Sequence, residues 1–145
     1  MPYQVKKADV WAVDIPNRPG TLARVLEPLA QAGAQLEFLI ARKVDDNTSR
    51  VFLAPIKGAK QKQAAQSVGV APTRSLFSIR VEGPDRPGLG ADLTRAIADA
   101  GVNLRGVSAA AIGKKTLTYV AVESEQAVKD AVSAARKALA KKSGR

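Results

Sequence analysis

One turn is written twice in this chain, and its spacing sets what the chain can become. Pro16-Asn17-Arg18-Pro19-Gly20 recurs 68 residues later as Pro84-Asp85-Arg86-Pro87-Gly88. Between Val13–Leu36 and Val81–Leu104, 10 of 24 aligned positions are identical without a gap. They include Pro16/Pro84, Arg18/Arg86, Pro19/Pro87, Gly20/Gly88, Ala32/Ala100, Gly33/Gly101 and Leu36/Leu104. A repeat of this length means two copies of one supersecondary unit. The 145 residues therefore divide into modules of about 70 residues, a size at which a lone core is marginal. The reading places the modules at residues 1–73 and 74–145.

Each copy of the turn joins an apolar extended run to an amphipathic helix. In the first copy, Asp9–Val13 reads as a strand, and the repeat aligns Trp11 and Val13 with Ile79 and Val81. Alternation puts these pairs on the buried face. Leu22, Val25, Leu26 and Leu29 give Thr21–Ala32 one apolar helix face. Pro28 predicts a kink or an early end there, and Gly33 is placed for a left-handed cap. Gln35–Arg42 and Ser49–Pro55 read as strands joined by the turn residues Asp45-Asp46-Asn47. Lys57–Ser67 reads as a basic helix closed by Gly69, and Val70–Thr73 as a short edge strand interrupted by Pro72.

The second copy begins with a strand over Leu76–Glu82 and a helix whose apolar face is Leu89, Leu93, Ala96, Ile97 and Ala100. Asn103–Ile112 and Thr116–Val122 read as a hairpin about Gly113-Lys114-Lys115. Glu125–Ala140 is the last helix, with acids early and bases late, as its dipole favours. The tail Lys141–Arg145 is expected to fray. Each module thus reads as β-α-β-β-α, with a fourth strand evident only in the first. This is α+β: two ferredoxin-like βαββαβ modules in tandem, antiparallel sheets with helices on one face.

Composition narrows function by exclusion. Cysteine and histidine are both absent, which removes disulfides, thiolate or imidazole metal ligation, and the usual triads. Asp45-Asp46 has no third ligand at suitable spacing, so no metal site is expected, and no catalytic residue is assigned. No apolar run approaches the roughly 20 residues of a membrane span. The N-terminal residues lack an apolar segment of signal-peptide type. The expected location is the cytoplasm, with no membrane partner. A formal net charge of +10 admits anionic partners.

The repeated turn is the candidate site. A helix start carries backbone N–H groups without intrahelical partners and the positive end of the dipole. Pro19 and Pro87 stiffen the approach, and Gly20 and Gly88 leave the backbone uncovered. A carboxylate or phosphate fits against residues 20–22 or 88–90. Asn17 and Asp85 share one repeat position at the loop tip, and Asp85 suits an ammonium group. A plain strand-to-helix turn is the structural alternative. Gly88-Leu89-Gly90 is not a dinucleotide fingerprint, because Leu93 stands where the third glycine belongs.

Residues 13–23 followed by Ala32-Gly33-Ala34-Gln35-Leu36 resemble the opening half of an ACT domain. So do residues 81–88 followed by Ala100-Gly101-Val102-Asn103-Leu104. The resemblance covers about residues 8–140. It implies a βαββαβ fold and a regulatory role, with a small effector, usually an amino acid, bound where two modules meet. Carried over, the ligand-binding positions are Asn17, Arg18, Gly20, Thr21, Leu22 and Gln35, and Asp85, Arg86, Gly88, Leu89, Gly90 and Asn103. The chain departs from the family at Gln35, where asparagine is common.

The reading is a non-enzymatic, cofactor-free amino-acid sensor, acting as a homo-oligomer, a dimer first, or through a regulated partner protein. The rival is a basic ferredoxin-like nucleic-acid-binding protein. Such proteins stack bases on exposed aromatics. With three Phe, two Tyr and one Trp, mostly in apolar strand context, this chain lacks that row. Any nucleic-acid binding is expected to be weak and strongly salt-dependent. Because no flexible linker separates the modules, they are expected to share a sheet or abut sheet edges. Limited proteolysis is therefore expected not to release two stable halves near Thr73. Recovery of two independently folded fragments would contradict this.

Overall fold

The computed structural model describes residues 2–73 and 76–143. Its elements run β1 (Gln4–Ala8), β2 (Trp11–Pro16), α1 (Thr21–Gln31), β3 (Phe38–Lys43), β4 (Thr48–Ala54), α2 (Gly58–Ser67), β5 (Ala71–Pro72), β6 (Phe77–Pro84), α3 (Leu89–Asp99), β7 (Gly106–Ile112), β8 (Lys115–Val122) and α4 (Glu125–Ser143). The strands form two four-stranded antiparallel sheets, ordered β3-β4-β2-β5 and β1-β6-β8-β7. The modules do not share one sheet. Among the described residues, no helix is long and apolar enough to cross a membrane.

The repeat carries over to the packing. In the first module, Ile15, Val51 and Leu53 of the sheet meet Val25 and Leu29 of α1 and Ala65 of α2. Trp11 and Val13 are partly buried against the same cluster, on the face that strand alternation predicts. In the second, Val5, Ile79, Val81, Val120 and Val122 meet Leu93 and Ile97 of α3 and Val128, Ala131, Ala135 and Leu139 of α4. The aligned helix positions Val25/Leu93 and Leu29/Ile97 are all buried. Truncating Leu29 or Ile97 to alanine would cost about 2–5 kcal/mol through lost burial and a residual cavity. Pro28 lies inside α1 without ending it. The Asp45–Asn47 turn is a hairpin turn, with the Asn47 N–H donating to Asp45 Oδ1 at 2.8 Å.

Three sequence expectations shift. Both strands after the first helix of a module start about three residues late, at Phe38 and Gly106, leaving Gln35 and Asn103 in the helix-to-strand connections. The last helix runs to Ser143 rather than Ala140; Gly144 and Arg145 lie outside the described residues. The third shift concerns the missing fourth strand of the second module. It is β1, which pairs antiparallel with β6 from Gln4↔Glu82 to Ala8↔Ser78. The compact units are accordingly residues 9–73 and residues 1–8 with 74–145, where the sequence reading divides the chain once, after Thr73.

Several contacts fix β1. Val5 is buried in the second core, worth about 1.5–3 kcal/mol for a side chain of this kind. Arg136 of α4 donates from Nε and Nη2 to the Val5 carbonyl, at 3.0 and 2.7 Å. The Tyr3 hydroxyl donates to Pro84 O at 2.8 Å. A side chain at Gly83 would strike the Tyr3 ring, since a Cβ there would run into Cδ1.

In the other sheet, Arg50 holds Asp14 across the β2–β4 ladder at 2.8 and 3.1 Å. Its hydrogen bonds lower the Asp14 pKa. The pair's contribution is therefore present at neutral pH and lost only as pH falls through that lowered value. With both side chains about half exposed, it is worth less than about 1 kcal/mol.

Deleting residues 2–8 is expected to lower hydrogen-exchange protection across β6, β8 and α4 while β2, β3 and β4 keep theirs. Equal loss in both modules would contradict the assignment of β1 to the second module alone.

Candidate functional site

Both copies of the turn fold alike at the backbone. Gly20 and Gly88 stand immediately before α1 and α3 in the left-handed region, at φ 86° and 85°. No other residue type adopts that conformation freely. In each loop the residue after the glycine donates its N–H back to the arginine carbonyl: Thr21 to Arg18 at 3.4 Å and Leu89 to Arg86 at 3.3 Å. The helix ladder then begins with Arg24 donating to Gly20 O and Asp92 to Gly88 O. Neither helix has a side-chain cap. The N–H groups of Leu22 and Ala23, and of Gly90 and Ala91, thus find no backbone or capping acceptor among the described residues. Two such donors at a positive helix end suit a carboxylate.

The side chains differ between copies. In the first loop, Asn17 is tied to the β3–β4 turn. Its N–H donates to Asn47 O at 2.8 Å, its Nδ2 to Asp46 O at 3.3 Å, and Ser49 Oγ donates to its Oδ1 at 3.4 Å. The Thr21 hydroxyl closes the loop, 2.7 Å from Pro16 O and 2.9 Å from Arg18 O. Leu22 is partly buried against the first core. Arg18 is exposed, and α1 has no acid in its first turn.

In the second loop, Leu89 takes the place of Thr21 and is buried in the core. The Asp85 N–H donates to Lys114 O at 2.8 Å. Arg86 is not open: its Nη2 is buried and lies 2.9 Å from Asp92 Oδ2, an ion pair off the ideal hydrogen-bond line. Asp92 is the main cause of a raised Arg86 pKa, working against desolvation, and the Tyr3 hydroxyl adds to it. Asp92 aligns with Arg24 in the repeat, so the sign of the charge at this helix position inverts between copies. That inversion was visible in the aligned sequences and marks Asp92 as a residue the motif alone does not reveal.

Gln35 and Asn103 occupy equivalent exposed positions. Asn103 lines a groove of about 670 Å³ with Leu104, Asp92, Thr94 and Arg95. The groove sets Asn103 beside α3 from Ala91 to Ala98, and none of the predicted loop positions Asp85, Arg86, Gly88, Leu89 and Gly90 lines it.

Residues 77–140 match the family model described as the ACT domain. A search of curated proteins found no match. Among solved structures, protein BT0572 from Bacteroides thetaiotaomicron aligns with a TM-score of 0.75 at 15% identity, covering 93% of this chain and 97% of that one. The ligand-free regulatory subunit of aspartate kinase from Thermus thermophilus aligns with a TM-score of 0.64 at 16% identity, over 95% and 97%. Aspartate kinase from Synechocystis aligns with a TM-score of 0.60 at 18% identity, over 95% of this chain and 26% of that one. At these identities the likeness is one of fold.

Gly20→Ala is expected to destabilise the protein by about 1–2 kcal/mol, the cost of a Cβ in the left-handed region. No heavy atom lies within 4 Å of the added carbon, so the cost is backbone strain alone. Gly20→Asn, which tolerates that region better, should recover part of it in thermal unfolding. Equal loss from both substitutions would point to a steric cause instead.

Proposed function

We propose that the chain is a non-enzymatic regulatory protein that senses an amino acid at its repeated loops; the match of residues 77–140 to the ACT domain model and the repetition of that fold in the first module support the reading. The observation that carries the reading is the pair of uncapped N–H groups behind a left-handed glycine in both modules. The effector carboxylate sits on those donors, and its ammonium group faces the loop tip. Asp85 provides a negative charge there and Asn17 does not. The second loop therefore suits the zwitterion at both ends. The first offers Arg18 and Arg24 and suits a second acidic group. The regulatory subunit from Thermus thermophilus supports the regulatory half of the proposal by analogy of fold.

Signal output then passes through association. Strand β7 ends its sheet and carries no charged residue over Gly106–Ile112, and Ile112 is 85% exposed. A long, uncharged, open edge is a template for another strand. We assign homodimer formation to it.

A thermal-shift screen of the twenty amino acids should identify the effector. Isothermal titration with the best of them tests the loop. Asp85→Ala is expected to weaken binding roughly ten- to a hundredfold, the worth of a charge-assisted hydrogen bond. Unchanged affinity in Asp85→Ala and in Asn17→Ala alike would leave the repeated turn as architecture only.

A further inference from the structure

We propose that the groove between α4 and β1 docks an acidic segment of a partner protein. The groove has a volume of about 710 Å³ and is lined by Lys7 of β1 and one face of α4. On that face Lys129, Val132, Arg136 and Lys137 follow Glu125 at helical spacing. Four cations therefore face one acid. Glu125 is shared with Lys7 at 3.4 Å in an exposed pair, which a competing carboxylate displaces at small cost.

Arg136 gives the groove its specificity. Its Nε and Nη2 are pinned to the Val5 carbonyl, which fixes the guanidinium plane. A guanidinium carries five donors, so donors remain on a group whose ordering entropy is already spent. Val132, partly buried in the groove wall, offers an apolar contact between the charges. From Glu125 to Lys137 the face extends about 18 Å at the α-helical rise, longer than one amino acid and suited to a peptide segment. No aromatic side chain lines it, so a nucleic-acid strand would find no base to stack on. None of the lining residues belongs to the repeated loops, and the proposal does not depend on the effector reading.

The test uses the full chain and a fluorescein-labelled peptide of alternating Glu and Leu, read by fluorescence anisotropy. Lys129→Glu combined with Lys137→Glu is expected to weaken binding by at least about tenfold. Lys60→Glu combined with Lys62→Glu on α2 changes net charge equally and should stay within about twofold, since neither lysine lines the groove and exposed charges outside the contact are screened. Equal loss from both double variants would reduce the effect to net charge and overturn the site. So would undetectable binding by the unsubstituted chain. Stronger displacement of the peptide by oligo-dT than by unlabelled peptide would overturn the choice of a protein partner.

Discussion

The second module depends on the antiparallel pairing of β1 with β6. Without it β6 would be an edge strand, with a row of unpaired backbone groups along Phe77–Pro84. The pairing also delivers Val5 to the core and Tyr3 to Pro84, directly beside Arg86. The second loop is therefore buttressed from the opposite end of the sequence, and the bare backbone at Gly83 is what lets the Tyr3 ring lie there. Arg136 completes the arrangement by taking up the Val5 carbonyl, a standard liability of a sheet edge. The two sheets blunt one edge each by different means: β5 is only two residues long and contains Pro72, whereas β1 is capped by a side chain.

Much of this was legible in the sequence because it is local or repeated. The helices follow from apolar residues at i, i+3, i+4 and i+7, and the left-handed glycines from their positions between strand and helix. The core pairs Val25/Leu93 and Leu29/Ile97 follow from the alignment of the copies. What the sequence concealed is non-local. Gln4–Ala8 has a weak strand pattern, with Lys6 and Lys7 beside a single buried valine, and its partner lies a whole module away. The late starts of β3 and β7 were masked by Leu36 and Leu104, which pack against the cores from irregular backbone and so mimic the first inward residue of a strand. The ion pair of Arg86 with Asp92 requires the turn geometry to be known, since six residues separate the partners. Arg136 reads as one more base at a helix end until its acceptor is seen.

The twin loops separate backbone from chemistry. Duplication keeps φ at Gly20 and Gly88 nearly equal and the same N–H groups open, while the surrounding side chains diverge. In one loop a hydroxyl and an amide close the turn and the cations are uncompensated. In the other a leucine is buried and the arginine is neutralised from within. On the proposed reading, two loops with one backbone geometry and different charge would discriminate ligands that share a carboxylate and differ elsewhere.

The embedding of residues 9–73 between β1 and the rest of its module orders events during synthesis. Val5 leaves the ribosome first, yet its ladder partner Val81 follows 76 residues later (81 − 5). At roughly 5–20 residues per second that interval is of the order of 4–15 s, far longer than the microseconds in which helices and hairpins form. The inserted module can be complete before the first strand has anything to pair with. The nascent chain must then hold a short segment unpaired, and its lysines and single valine make it a poor seed for aggregation during the wait.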